Sequence, residues 1–473
     1  SGRPNIVYIM TDDHAYQTVG AYGHPISRLA PTPNIDRLAR EGMLFREAFV
    51  ENSISAPSRA TLLTGVYSHR HGQTTLSYGI MDTTLVHFPE LLRAEGYRTA
   101  IFGKWHLSVE PKGFDHYDLL WDQGEYYNPV MRTPETGGRY VRQEGYATDI
   151  ITDHALAWLD GHRDDDAPFC LMIHHKAPHR NWMADLKYLD LYEDVEFPEP
   201  ETLFDDYATR GDQMRQQQLT IDRHMGYAFD FKVEELKDEP TLQYIHDSWD
   251  IAMSTLTPEQ RRVWDDSYGR KNRDFLADRP EGKELLRWKY QRYIHDYCRT
   301  IRSVDDQIGR VLDYLEENGL MDNTLIVYTS DQGFLLGEHG LYDKRFMYEE
   351  SFRTPLIMAW RGHIRPGTVC RELVQNIDYA PTLLDAAGVG VPDGMDGVSL
   401  QPLFRSGKAR GWRTSLYYQY YDYPAVGSVR AHYGIRTDRY KLIHWFGPGA
   451  DGDPDIDFWE LYDLRKDPCE VHN

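Results

Sequence analysis

Four times along this chain a short run of apolar, largely β-branched residues breaks off directly into acidic, basic or imidazole side chains. Asn5-Ile6-Val7-Tyr8-Ile9-Met10 ends at Thr11-Asp12-Asp13-His14, and Thr99-Ala100-Ile101-Phe102 ends at Gly103-Lys104-Trp105-His106. Phe169-Cys170-Leu171-Met172-Ile173 ends at His174-His175-Lys176-Ala177-Pro178-His179, and Leu325-Ile326-Val327-Tyr328 at Thr329-Ser330-Asp331-Gln332-Gly333. Runs of this length without polar alternation read as strands buried on both faces. Helical patterns lie among them. Pro33-Asn34 opens one, with Ile35, Leu38 and Ala39 on one face and Gly42 as its stop; Val304, Ile308, Val311, Leu312 and Leu315 form another, closed by Gly319. Strands alternating with amphipathic helices predict an α/β fold, a mixed, mostly parallel sheet sandwiched by helices. In such sheets ligands bind beyond the carboxyl ends of the strands, where all four runs deliver Asp, Lys or His.

At 473 residues the chain exceeds what one hydrophobic core usually supports. A catalytic α/β domain is expected over 1–405 and a small C-terminal α+β domain, built on an antiparallel sheet, over 406–473. The boundary follows a capped helix that begins at Asp378-Tyr379-Ala380-Pro381 and ends near Gly388, then a Gly- and Pro-rich stretch to about Gly407. Strand-like runs come next, Ser415 to Tyr421, Tyr433 to Arg436 and Tyr440 to Trp445. Residues 200–290, charged and with a helix start at Thr257-Pro258-Glu259, read as a helical insertion able to wall a pocket.

The formal net charge of -22 argues against a nucleic-acid partner and requires any anion site to be locally basic. The four cysteines are scattered and encourage neither a disulfide framework nor a zinc site. No apolar run is long enough to span a bilayer. Ser1-Gly2 reads as a cloning scar, so a targeting segment is expected to have been removed. Tyr (33) and Trp (11) are plentiful, and exposed aromatics commonly line sugar sites.

Taken alone, Asp12-Asp13 would be a cap or turn. Asp331-Gln332 changes the odds by offering a third carboxylate and an amide oxygen at a second strand end. Three carboxylates brought together repel unless a cation sits among them, and oxygen ligands without Cys or His suit Ca²⁺ or Mg²⁺. In Glu51–Gly65, Pro57 and Ser58 are first-turn residues, so Ser55 sits at or just before a helix N-terminus, where backbone N–H groups favour an anion. Arg59 lies one turn on, able to share its face. A plain Ser cap would not explain Arg59.

Ser55-Ala56-Pro57-Ser58-Arg59-Ala60-Thr61-Leu62-Leu63-Thr64-Gly65 resembles the signature of the type I, formylglycine-dependent sulfatases. The resemblance extends through Asp12-Asp13, Gly103-Lys104-Trp105-His106, Pro178-His179 and Ser330-Asp331-Gln332-Gly333 to Glu460-Leu461-Tyr462-Asp463-Leu464 with Asp467-Pro468. It implies an alkaline-phosphatase-like fold and oxidation of residue 55 to formylglycine by a maturation enzyme. The hydrated aldehyde is a gem-diol that attacks sulfur with one hydroxyl, and deprotonation of the other expels sulfate.

Carried over by motif, the ligands of one divalent cation, Ca²⁺ in preference to Mg²⁺, would be Asp12, Asp13, Ser55, Asp331 and Gln332. Arg59 and Lys104 would hold the formylglycine, and His106 would be the base that collapses the sulfated hemiacetal. His179 and Lys344 would bind sulfate and protonate the leaving oxygen. The commonest family residue at position 55 is Cys. Ser occurs in some anaerobic bacterial members, and an engineered change or an unmodified precursor would read the same.

The stretches Gly103 to Leu107, Gly113-Phe114-Asp115 and Gln123 to Pro129, with Asn52-Ser53-Ile54-Ser55, resemble bacterial N-acetylglucosamine-6-O-sulfatases. The implied substrate is a sulfated glycan of glycosaminoglycan or mucin type, met in the periplasm or outside the cell. Asp343 and Arg345, flanking Lys344, and His432 are the candidates for contacts to sugar. Three other readings stay open: a sulfatase for another position such as a 2-O-sulfated uronic acid, a phosphate or phosphonate ester hydrolase, and an inert glycan-binding homologue.

Overall fold

A computed structural model describes residues 2–241 and 246–473. Ser1 and residues 242–245, the latter within the stretch expected to be a helical insertion, lie outside them.

The four apolar runs form adjacent strands of a ten-stranded sheet: Asn5–Thr11, Arg98–Gly103, Phe169–His174 and Thr324–Ser330. Asn5–Thr11 lies in the middle, parallel to Phe169–His174 on one side and to Thr324–Ser330 on the other. Arg98–Gly103 runs parallel to Phe169–His174. The register matters for function. Thr11 sits opposite Ser330, Met10 opposite His174, and Gly103 opposite His174, so all four strands stop on one line and release their charged tails at the same edge.

Alternation divides the strands between two cores. Val7, Ile9, Leu171, Ile173, Ile326 and Tyr328 pack with the helices Pro33–Glu41, Ala147–Asp160 and Gly282–Glu317. Their neighbours Ile6, Tyr8, Met10, Met172, Leu325 and Val327 pack with Ser55–Thr64, Phe88–Ala94 and Tyr379–Ala386. Each fully buried aliphatic contributes about 1.5–3 kcal/mol, which fixes the register firmly.

Antiparallel pairs lie toward both rims, although the outermost strand on one side, Thr368–Cys370, runs parallel to Met43–Phe45. Leu356–Ala359 joins Thr324–Ser330 to Met43–Phe45, and Val130–Arg132 with Val141–Arg142 extends the far edge. Gly42, expected as a helix stop, follows Pro33–Glu41 but is not left-handed. A β-carbon there would lie 2.2 Å from the carbonyl oxygen of Met358, so close approach is what requires glycine.

A separate four-stranded antiparallel meander closes the chain: Leu416–Tyr420, His432–Arg436, Tyr440–Gly447 and Ile456–Asp463. Its inner face packs on the helix Gly282–Glu317 and on the loop that carries Lys344.

Candidate active site

Ser55 is the first residue of the helix Ser55–Thr64, 3% exposed at the floor of a pocket. Arg59, one turn on, folds back and donates from Nε to Ser55 Oγ at 2.9 Å. Its other nitrogens reach the Lys104 carbonyl at 3.1 Å and Asp331 Oδ2 at 3.1 Å. One buried guanidinium therefore joins the helix to two strand ends. His106, at the same strand end as Lys104, approaches Ser55 Oγ with Nδ1 at 3.2 Å.

The carboxylates meet beside this group. Asp331 Oδ1 accepts from the Asp13 backbone N–H at 3.1 Å, and Gln332 donates from Nε2 to Asp13 Oδ1. Lys104 donates to Asp12 Oδ2, and Lys344 to both Asp13 oxygens at 2.8 and 2.7 Å. His179 Nε2 lies 3.9 Å from Asp13 Oδ2, while its Nδ1 lies 2.7 Å from the Arg180 carbonyl oxygen.

Burial dominates the protonation of these groups. It pushes Asp13 up to about 8, with Lys344 opposing and Asp12 and Asp331 adding to the rise. It pushes Asp331 up to about 6. For Asp12 burial is overcome by Lys104, His179 and Arg59, which hold it well below the usual carboxylate range. Burial, then Lys104 and Arg59, push His106 far down, so its imidazole is neutral at neutral pH. His179 is pushed down chiefly by burial as well. Burial also lowers Lys344, but Asp13 and Asp343 outweigh it and keep the ammonium charged.

The donor set fits a hard divalent cation. Asp12 Oδ1 and Gln332 Oε1 are fully buried acceptors with no hydrogen-bond partner, a costly state that an oxygen-seeking ion removes. Asp12, Asp13 and His179 each offer an atom within 4.8 Å of the others.

Backbone geometry marks the same place. Asp13, His106, Asp343 and Arg345 adopt φ of 71°, 52°, 77° and 89°. Non-glycine residues held there cost on the order of 1–3 kcal/mol each and cluster at functional sites.

The family profile for sulfatases matches residues 4–389. The chain belongs to the sulfatase family. A second profile, for the C-terminal part of N-sulphoglucosamine sulphohydrolase, matches residues 337–473 of this sulfatase. It is 45% identical over 480 residues to an N-acetylglucosamine-6-O-sulfatase of Bacteroides thetaiotaomicron, spanning 100% of this chain and 82% of that one. The N-acetylglucosamine-6-sulfatase of Capra hircus is 27% identical, over 89% of this chain and 67% of its own. A solved structure described as in complex with its substrate D-glucosamine-2-N,6-O-disulfate superposes with a TM-score of 0.91 at 44% identity, covering 100% and 93% of the two chains. A phosphonate monoester hydrolase from Silicibacter pomeroyi shares the alkaline-phosphatase-like fold at a TM-score of 0.69 and 21% identity, over 98% and 89%.

The residues expected from sequence thus fall into one cluster, with one exception. Asp343 and Arg345 lie at its margin, Arg345 Nε 3.3 Å from Asp343 Oδ2 and its Nη1 donating to the Tyr420 hydroxyl at 2.9 Å. His432 does not reach the pocket. Its ring is fully buried, stacked on Trp445 at 4.1 Å, with Nε2 accepting from the Met347 N–H and Nδ1 at 2.9 Å from the Arg430 carbonyl. Both nitrogens are engaged, so the expectation that it touches sugar is corrected to a packing role. Sequence reasoning also passed over Gln123, whose Oε1 accepts from Lys104 at 2.6 Å and whose Nε2 lies 3.2 Å from His106 Nε2.

Proposed function

We propose that this sulfatase removes the 6-O-sulfate of N-acetylglucosamine in a sulfated glycan. The observation that carries the reading is the meeting of Ser55, Arg59, Lys104 and His106 with Asp12, Asp13, Asp331, Gln332 and Lys344 in one buried pocket. The relative named N-acetylglucosamine-6-O-sulfatase, 45% identical over the whole chain, supports the choice of substrate.

Asp12, Asp13, residue 55, Asp331 and Gln332 are the proposed holders of one divalent cation, Ca²⁺ in preference to Mg²⁺. Bound there, it supplies positive charge against the sulfate oxygens. Formylglycine at residue 55, made by a maturation enzyme, would supply through its hydrate one hydroxyl to take the sulfate and a second whose deprotonation expels it.

The chain's own residues do the rest. Arg59 and Lys104 fix the side chain of residue 55 and stabilise charge on its oxygens. His106, neutral because it is buried among cations, is the base that takes the proton from the second hydroxyl. Lys344, firmly protonated, and His179 bind the sulfate and deliver a proton to the departing sugar oxygen. One water is consumed overall, and the alcohol, sulfate and one proton are released. Asp343 and Arg345, beside Lys344, are the proposed sugar contacts.

The division into a catalytic part, 1–405 with its helical insertion at 200–290, and a C-terminal part, 406–473, belongs to this reading. So does action in the periplasm or outside the cell.

The test pairs mass spectrometry with a release assay on protein from a host able to mature Ser55. The peptide carrying residue 55 is expected to lack two hydrogens relative to serine, and sulfate should leave N-acetylglucosamine-6-sulfate. An unmodified peptide together with no release from any sulfated sugar rules the reading out.

A further inference from the structure

Next to the catalytic residues a cavity of 480 Å³ opens among the loop Trp121–Tyr126, the turn that carries His179 and Arg180, and the helix His246–Ser254. His179 forms part of its wall, so groups that project from a sugar bound at the reacting centre can enter it. Three cations line the cavity, Arg142, Lys176 and Arg180, against the carboxylates Asp122 and Glu125.

Most of these charges are engaged. Arg142 pairs with Glu125 at 3.0 Å, and Arg180 holds Asp230 through two bonds of 2.7 and 2.6 Å. Asp122 accepts from the Tyr78 hydroxyl at 3.0 Å. Lys176 differs. Its side chain is buried, and its Nζ reaches only the Gln123 carbonyl oxygen at 3.3 Å and the face of Tyr126, 4.8 Å from the ring centre. Among the described residues no carboxylate forms an ion pair with it. A buried ammonium that no ion pair holds is expensive and is ordinarily paired. Burial lowers its pKa to about 8, with Lys104 adding to the fall and Asp12, Asp13 and Asp122 opposing it from beyond pairing distance, and it remains charged at neutral pH. On the same wall Trp121 turns an indole that is 57% exposed toward solvent, a flat apolar surface of the kind that packs on a sugar ring.

We infer that this cavity is a subsite for a second anionic group of the substrate, bound by the Lys176 ammonium while the ring that bears it lies against Trp121. The inference rests on the reading of the neighbouring pocket as a site for a sulfated aminosugar, and it narrows that reading. Glycans with closely spaced negative charges are preferred over neutral, mucin-type chains that carry a single 6-sulfate. The anion has two possible sources with one chemistry: an N-sulfate on the aminosugar itself, or the carboxylate of an adjoining uronic acid.

The experiment compares the parent with K176M, which keeps the length and apolar stem but removes the charge, both prepared with Ser55 unoxidised so that no ligand is cleaved, by isothermal titration with four ligands. Two are monosaccharides, glucosamine-2-N,6-O-disulfate and N-acetylglucosamine-6-sulfate. Two are disaccharides, N-acetylglucosamine-6-sulfate joined to a uronic acid or to galactose. The parent is expected to bind at least one anionic member more tightly than its neutral counterpart, and K176M to lose about tenfold or more of that ratio. A change confined to the monosaccharides assigns the site to the N-sulfate, and one confined to the disaccharides assigns it to the neighbour's carboxylate. A K176R variant should recover part of the ratio. Equal weakening toward all four ligands, or a parent that does not discriminate within either pair, overturns the proposal. Should K176M not fold, the parent's discrimination and its partial reduction in K176R decide, and a K176R variant identical to the parent, with a parent that does not discriminate, overturns the proposal. Binding is read without turnover, so loss of the sulfatase reading and loss of this subsite are separate results.

Discussion

Gly103 shows how tightly single positions are constrained around the pocket. It ends its strand at φ 105°, and a β-carbon there would lie 1.8 Å from the carbonyl oxygen of His174 on the neighbouring strand. Neither backbone can yield without moving Lys104, whose N–H donates to that same His174 carbonyl at 2.8 Å. G103A is therefore expected to lose more than about 2 kcal/mol of stability in urea unfolding, from the left-handed backbone and the clash together. An alanine variant that unfolds with the parent would show that the two strands separate easily. Most charged residues of the pocket were legible because they follow an apolar run or sit in the SxPSR stretch; Lys344 does neither and came only from the family resemblance. Gln123 was visible only as the start of a stretch quoted for the family resemblance, and its role was not legible. A neutral amide on a loop has no period and no charge to announce it, although it touches both Lys104 and His106. His432 misled for the opposite reason: in His-Tyr-Gly-Ile-Arg the inward face is the polar one, so a packing histidine resembled a binding one.

The last strand, Ile456–Asp463, inverts the usual alternation in the same way. Trp459 and Leu461 face outward at 49% and 54% exposure, while Glu460 points inward and is fully buried. That carboxylate accepts from Gln213 Nε2 at 3.0 Å, from the Tyr348 hydroxyl at 2.7 Å, and from Trp445 and Tyr462. It ties the meander to the helix Asp212–Gln216 and to the segment just beyond Lys344. Removing it leaves four donors without their acceptor. E460A should lower stability by about 3–5 kcal/mol, read as a fall in the urea midpoint, and E460Q by less. Equal stability of E460A and the parent would mean that water replaces the carboxylate. The long parallel strands were visible in the sequence because they are apolar throughout. The short outer strands Met43–Phe45, Val130–Arg132 and Val141–Arg142 were not, since two or three residues are too few to display any period.

Taken as a whole, the molecule gathers cations inside an acidic exterior. Arg59, Lys104, Lys344 and Lys176 stand together near three buried carboxylates, and the orphaned Asp12 Oδ1 and Gln332 Oε1 mark where the balance is incomplete. Chelation is accordingly expected to lower the melting temperature as well as the activity, and Ca²⁺ to restore both. At a hundredfold excess over its Kd an ion that binds only the folded chain adds about 2.7 kcal/mol. A melting temperature indifferent to chelator would remove the cation from the structural account.

Side chain 55 is 3% exposed, enclosed by strand ends that are drawn from sequence positions as far apart as Asp12 and Lys344. An oxidising enzyme cannot reach it once those ends have closed. The oxidation proposed for residue 55 would therefore fall in the interval in which the nascent polypeptide is still open, and a chain that folds too soon would be trapped with its hydroxyl intact.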